Sequence, residues 1–181
     1  FPIPLDEFEI GNARLPLPPR LAHMVIEAGE NALLAARIGV LLTEQGLGGR
    51  EPDLRERLTR FAIERGQRAE AARKLAARIA GARGSGAIDI ERAGAVLALA
   101  YPDRIAKKRG ESYTMVNGRA ASVDPASPLA REQFLVIADI AGAAGRARVL
   151  LAAPVAAEGI EAWLLGHPHA ASDIHLAGLE V

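Results

Sequence analysis

Apolar residues in the first half of the chain recur at helical spacing, and glycine and proline divide them into segments. Pro18-Pro19 opens the first, in which Leu21, Met24, Val25 and Ala28 share a face up to Gly29. The second runs from Asn31 to about Gln45, with Leu33, Leu34, Ile38, Leu41 and Leu42 apolar and Gly46, Gly48 and Gly49 ending it. Asp53 precedes Leu54, Leu58 and Phe61 in a third helix reaching about Gly66. From Gln67 to Ala80 a fourth puts Ala72, Leu75, Ala76 and Ile79 on one stripe. Gly81 to Gly86 is a flexible break. Asp89 is the expected N-cap of a fifth helix through Ala93, Val96, Leu97 and Ala100, because its short carboxylate can take an amide the helix leaves unpaired. Pro102 interrupts this helix, and Ile105 to Arg109 reads as one more helical turn ended by Gly110.

After Gly110 the period changes. Ser112 to Val116 reads as a strand, Asn117-Gly118 is a hairpin turn, and Arg119 to Val123 is the return strand. Asp124-Pro125-Ala126-Ser127-Pro128 forms a loop. Phe134 to Ala138 and Arg146 to Leu151 are two more strands, separated by a turn around Gly142 and Gly145. A weak helix covers Ala157 to Leu165, and the tail from Gly166 to Val181 has no regular period. The expected class is therefore α+β: a bundle of about five helices, then a small antiparallel β unit. The expected division is a linker over 1–17, a helical domain over 18–110, a β domain over 111–154, and a short helix with an irregular tail over 155–181.

Composition sharpens this picture. Of the 181 residues 50% are apolar but only 4% aromatic, so the core must come from Ala, Leu, Val and Ile. An apolar fraction of that size excludes a disordered chain. The absence of Cys excludes a disulfide framework, thiolate catalysis and Cys-ligated metal. No stretch approaches the roughly 18 apolar residues of a membrane span. The start, Phe1-Pro2-Ile3-Pro4-Leu5-Asp6-Glu7, lacks the basic and apolar regions of a secretory signal, so a cytoplasmic location is expected. A chain that begins with Phe rather than Met is expected to be a piece of something longer.

The 22 basic and 22 acidic residues cancel, yet they are not evenly spread. Residues 1–49 carry 3 basic and 6 acidic side chains, a balance of −3. Residues 50–110 carry 15 and 8, a balance of +7, and residues 111–181 carry 4 and 8, a balance of −4. The middle third therefore presents a positive field to an anionic partner.

Little enzymatic chemistry is present. A phosphate-cradling P-loop needs a Lys directly after Gly, and Lys74, Lys107 and Lys108 all follow other residues. The run Gly81-x-x-Gly84-x-Gly86 has the wrong order for a dinucleotide fingerprint and follows a helix, so an interhelical loop is the expected role. His167-Pro168-His169 with His175 could offer imidazoles to a metal, but no regular element fixes them, and no metal site is expected. His23 sits within a helix as a half-buried structural residue. No nucleophile–base arrangement can be assembled, so no catalytic residue and no cofactor are assigned to this chain.

Cation placement is more informative. On the fourth helix Gln67, Ala71, Lys74 and Arg78 fall in a narrow arc opposite the Ala72/Ala76/Ile79 stripe. Lys74 and Arg78 stand four residues apart, Arg73 lies on the flank, and Arg83 lies just beyond the end. Such cations can bind phosphates, which require charge and reach rather than a particular base edge; an ordinary solvated face is the plainer alternative. Lys107, Lys108 and Arg109 form a second cluster, at the expected end of a helical turn. In the β unit only Tyr113 and Phe134 are aromatic among the strands, too few for a stacking platform, so contacts there would fall to Arg119 or Arg131. The candidate nucleic-acid-binding residues are Arg73, Lys74, Arg78, Lys107, Lys108, Arg109 and Arg119.

Three segments together resemble the C-terminal accessory region of DEAH-box helicases, most closely the bacterial HrpB type. They are Leu15-Pro16-Leu17-Pro18-Pro19-Arg20-Leu21-Ala22-His23-Met24; Leu97-Ala98-Leu99-Ala100-Tyr101-Pro102-Asp103-Arg104-Ile105-Ala106 with the basic triplet behind it; and the β unit. In that unit the pattern runs through Tyr113, Asn117-Gly118-Arg119, Val123 to Leu129 and Phe134 to Asp139, and continues over Arg146 to Pro154 and Trp163-Leu164. The resemblance implies an oligonucleotide-binding-type (OB-like) barrel closing a ratchet-like bundle, with residues about 5–14 as the end of a winged helix. Only four strand-like runs are legible where such a barrel has five. The resemblance also implies RecA-like motor domains in the parent protein, with ATP and Mg, and a channel for single-stranded nucleic acid, RNA in preference to DNA. Neither an Asp-Glu-Ala-His box nor the motor's arginine-rich motif occurs here, so ATP hydrolysis is expected of the parent alone. The alternative is a protein-interaction or scaffold module with no nucleic-acid role.

Overall fold

The computed structural model describes residues 9–10, 13–84 and 86–167, and the side chains of 15–84 and 86–167. Two compact units emerge. One is helical and extends to Ala100, apart from Glu51–Leu54; the other contains Glu51–Leu54 and the chain from Tyr101.

In the first unit β1 (Glu9–Ile10) and β2 (Ala13–Arg14) form a minimal antiparallel pair. The rest of the expected winged-helix end lies outside the described residues. Helix α1 (Pro19–Glu27) starts with proline in its first turn, where no amide hydrogen is missed, and buries Leu21, Ala22, Met24 and Val25. Helix α2 (Ala32–Thr43) is the centre of the unit: Ala32, Leu34, Ala35, Ala36, Ile38, Gly39, Val40 and Leu41 are all buried, as befits a helix covered on most sides. Gly39 is small for a reason, since a Cβ there would come within 3.1 Å of Leu17. Helices α3 (Leu54–Ile63) and α4 (Gln67–Ala80) follow. The Asp89 carboxylate accepts from the Glu91 amide and caps a short turn that leads into α5 (Ala93–Ala100). Helix α1 packs on α2 and α5, and α2 packs on α4 and α5. Alanines at these contacts permit close approach, which is how a core so poor in aromatics fills its space.

The second unit is a closed five-stranded barrel in the order β3-β4-β5-β7-β6. Its strands are β3 (Ile105–Arg109), β4 (Ser112–Met115), β5 (Ala120–Ser122), β6 (Phe134–Ala141) and β7 (Arg148–Pro154). Helix α6 (Ala157–Gly166) follows. The expected helical turn at Ile105 to Arg109 is thus corrected: it is the fifth strand. Ile-Ala-Lys-Lys-Arg shows no alternation and weak strand propensity, but pairing with β4 on one side and β6 on the other overrides both. One closing rung also departs from an all-antiparallel sheet, because Ser122 of β5 meets Arg148 of β7 in parallel. The barrel core is Ala106, Tyr113, Met115, Ala121, Val123, Leu129, Leu135, Ile137, Ala147, Val149 and Ala152. Residues 51–54 join this unit through the β7 backbone, where the Ala152 amide donates to the Pro52 carbonyl at 2.9 Å.

Candidate nucleic-acid interface

The candidate cations of the basic middle third are shared between the two units. In the helical unit Lys74 and Arg78 are exposed on α4, opposite buried Ala72, Ala76 and Ile79, as the helical arc predicts. Neither is hydrogen-bonded or ion-paired among the described residues. Arg73 is different. It is half-buried, its Nη1 donates to the Phe61 carbonyl at 2.7 Å, and its guanidinium lies 5.8 Å from the Phe61 ring centroid. Arg83, just past α4, donates to the Ile26 carbonyl at 2.9 Å and so ties the glycine-rich connection to α1. That connection is an interhelical loop, as its place after a helix implies.

In the barrel, strand register sorts the basic triplet. Lys108 pairs with inward-facing Tyr113, and its Nζ donates to the Ala130 carbonyl. The Tyr113 hydroxyl lies 2.8 Å from the Leu129 carbonyl oxygen and 2.6 Å from that of Glu132, so its one proton is shared between them. Lys108 and Tyr113 therefore hold the short turn Pro128–Arg131, whose Leu129 plugs the barrel core. Burial, and secondarily the Glu132 charge, pushes the Tyr113 hydroxyl up to about 12.

Lys107 and Arg109 have the opposite parity and face outward. Two rows result from the register. Phe134, Lys107, Thr114 and Ala120 form one; Arg109, Ser112, Ser122 and Arg148 form the other. The second row has an arginine at each end and two hydroxyls between, with Arg109, Ser122 and Arg148 exposed. Lys107 is half-buried, with its ammonium 5.8 Å from the Phe134 ring. Arg119 is exposed in the hairpin turn, where its amide donates to Asn117 Oδ1 at 3.0 Å. Thr114, Ser112, Ser122 and Arg148 were not among the expected site residues; the alternation Arg146-Ala147-Arg148-Val149 was the available signal for the last. Both strand aromatics are buried, Tyr113 inside and Phe134 beneath Lys107, so among the described residues this face presents cations and hydroxyls rather than exposed rings.

The Tyr101-Pro102-Asp103-Arg104 stretch builds the barrel rather than a site. Arg104 stacks 4.6 Å above the Tyr101 ring and donates to the Ala138 carbonyl at 2.6 Å, while the Asp103 carbonyl accepts from the Asn117 amide at 3.0 Å. His23 is half-buried on α1. His167 stacks on Trp163 with centroids 4.5 Å apart, and His169 and His175 lie outside the described residues. Among the described residues no group of acidic or imidazole side chains could hold a metal, and no helix is long and apolar enough to cross a membrane.

No protein-family model and no curated protein matches the chain. Solved structures do. Over 90% of its length the chain is similar to 21% of the DExH-box NTPase HrpB of E. coli, with 26% identity and a TM-score of 0.67. A second structure, described as the E. coli DEAH/RHA helicase HrpB, matches 83% of the chain and 20% of its own length at 23% identity and a TM-score of 0.65. The HrpB-type resemblance read from the three sequence segments is therefore upheld, and the chain spans about a fifth of the proteins it matches.

Proposed function

We propose that this chain is the accessory module of an ATP-dependent helicase, and that it guides single-stranded nucleic acid, RNA in preference to DNA, beside RecA-like motor domains. The motor, its ATP and its Mg belong to the parent protein, and the working location is the cytoplasm. The observation that carries this reading is the similarity of nearly the whole chain to part of an HrpB NTPase. Cation placement supports it: Lys74 and Arg78 on the exposed face of α4, and Lys107, Arg109 and Arg148 on the outward face of the barrel. Phosphate contacts of this kind position a strand without reading its sequence. On the OB-like barrel, small hydroxyl residues between the arginines leave the backbone room to approach.

The test is a mobility-shift titration of the 181-residue chain with short oligouridine and oligodeoxythymidine, beside a pull-down on the parent's motor domains. Weak binding of both strands, tighter for RNA, is expected. Retention on the motor domains without a shift of either strand would overturn the reading in favour of a protein-interaction module.

A further inference from the structure

Helices α2 and α4 run antiparallel. At one end Arg68 of α4 meets Glu44, just past α2, at 3.5 Å and donates to the Gln45 carbonyl at 2.5 Å. At the other, Gly84 beyond α4 lies so near Leu33 of α2 that a Cβ on it would be 3.4 Å from the leucine's Cβ. Arg37 and Arg73 both lie between these ends, both half-buried. Among the described residues Arg37 has no hydrogen bond or ion pair, and its Nε is buried without a partner. Arg73 is pinned through Nη1 to the Phe61 carbonyl and has no carboxylate among the described residues. Burial first, and the Arg73 charge second, lower the proton affinity of the Arg37 guanidinium from its ordinary value.

Two neighbouring cations, partly desolvated and lacking an acid, cost the free chain stability. An oxyanion would reverse that cost. Its oxygens accept N–H donors from both guanidiniums, and a rotation of the flexible Arg37 stem frees the orphaned Nε for the side-on fork that suits phosphate.

We propose that Arg37 and Arg73 form a phosphate subsite on the seam of α2 and α4, taking one phosphodiester of the bound strand. The choice of phosphodiester rests on the function proposed above; the phosphate chemistry does not. Lys74 and Arg78, on the same helix as Arg73, would meet neighbouring phosphates.

The test uses the whole chain, with Arg37→Met and Arg37→Lys. Thermal unfolding in sodium phosphate is compared with sodium chloride at matched ionic strength, and oligouridine affinity is measured for each protein. The wild type should gain more from phosphate than Arg37→Met does. Without phosphate, Arg37→Met should unfold at an equal or higher temperature than the wild type. It should bind oligouridine about tenfold more weakly, with Arg37→Lys in between. Wild-type phosphate gain and affinity in both variants would overturn the subsite, and the proposed function would stand if Lys74→Glu still weakened binding. A phosphate gain lost in Arg37→Met, with no oligouridine binding by any protein, would uphold the phosphate site and overturn the strand as its source.

Discussion

Lys74 and Lys108 both sit in basic runs, yet the two units use them in opposite ways. On α4 the helical period turns Lys74 and Arg78 from the core, and packing of Ala72, Ala76 and Ile79 holds that face outward whatever the cations do. In the barrel the period is two, so adjacent residues of one basic triplet part company. Lys107 and Arg109 face outward, while Lys108 has the parity of inward-facing Tyr113 and fixes the Ala130 carbonyl. A helix thus displays cations by arc, whereas a strand displays every other one. Charge counted along the chain overstates what a strand offers to a ligand.

This contrast predicts that Lys108 and its supports in the barrel carry stability, while Lys74 and Arg78 on α4 do not. The largest effect is expected at the plug. Leu129 is fully buried, and Leu129→Ala should cost about 2–5 kcal/mol by urea denaturation. A cost below about 1 kcal/mol would mean that the turn does not close the core.

Tyr113→Phe should cost about 1–2 kcal/mol, because a buried hydroxyl's hydrogen bond to the Leu129 and Glu132 carbonyls is lost. Its pH dependence has a defined sign. The folded chain holds the Tyr113 proton up to about 12, whereas an unfolded tyrosine ionises near pH 10. The wild type's advantage over Tyr113→Phe is therefore complete below pH 10 and shrinks as pH rises toward 12. Equal alkaline unfolding of both proteins would contradict this.

Lys108→Met should cost about 1 kcal/mol and leave the salt dependence of oligonucleotide binding unchanged. A lowered salt slope with unchanged stability would place Lys108 on the ligand instead. The smallest stability effect belongs to Lys74→Glu with Arg78→Glu, expected within about 0.5 kcal/mol of the wild type by thermal unfolding. A larger loss would mean that α4 depends on these cations for more than display.

The sequence made the helical unit legible because its signals are local. The Ala72/Ala76/Ile79 stripe, the Asp89 cap and the glycine stops each lie within a few residues of what they specify. The Asn117-Gly118 turn is local too, and its glycine takes the left-handed φ of 84° that such turns require. What was illegible is non-local. Strand β3 is held on its far side by Phe134 to Val136 of β6, well downstream, and residues 51–54 owe their place to the β7 backbone nearly a hundred positions away. The site divides in the same way. Lys74 and Arg78 could be read from an arc, but the parity that separates Lys107 from Lys108 requires knowing that they form a strand. Arg37 was invisible because it interrupts an apolar helix whose other residues all argue for burial.

The most direct test of the central claim is the salt dependence of oligouridine binding by the whole chain. Lys74, Arg78, Lys107, Arg109 and Arg148 imply about four to five phosphate contacts, hence a slope of log K against log salt near −3 at about 0.7 per contact. Charge reversal at Lys74 and Arg78 should bring the slope to about −1.5 or shallower. A slope that stays near zero in the wild type, or that charge reversal leaves unchanged, would contradict the account.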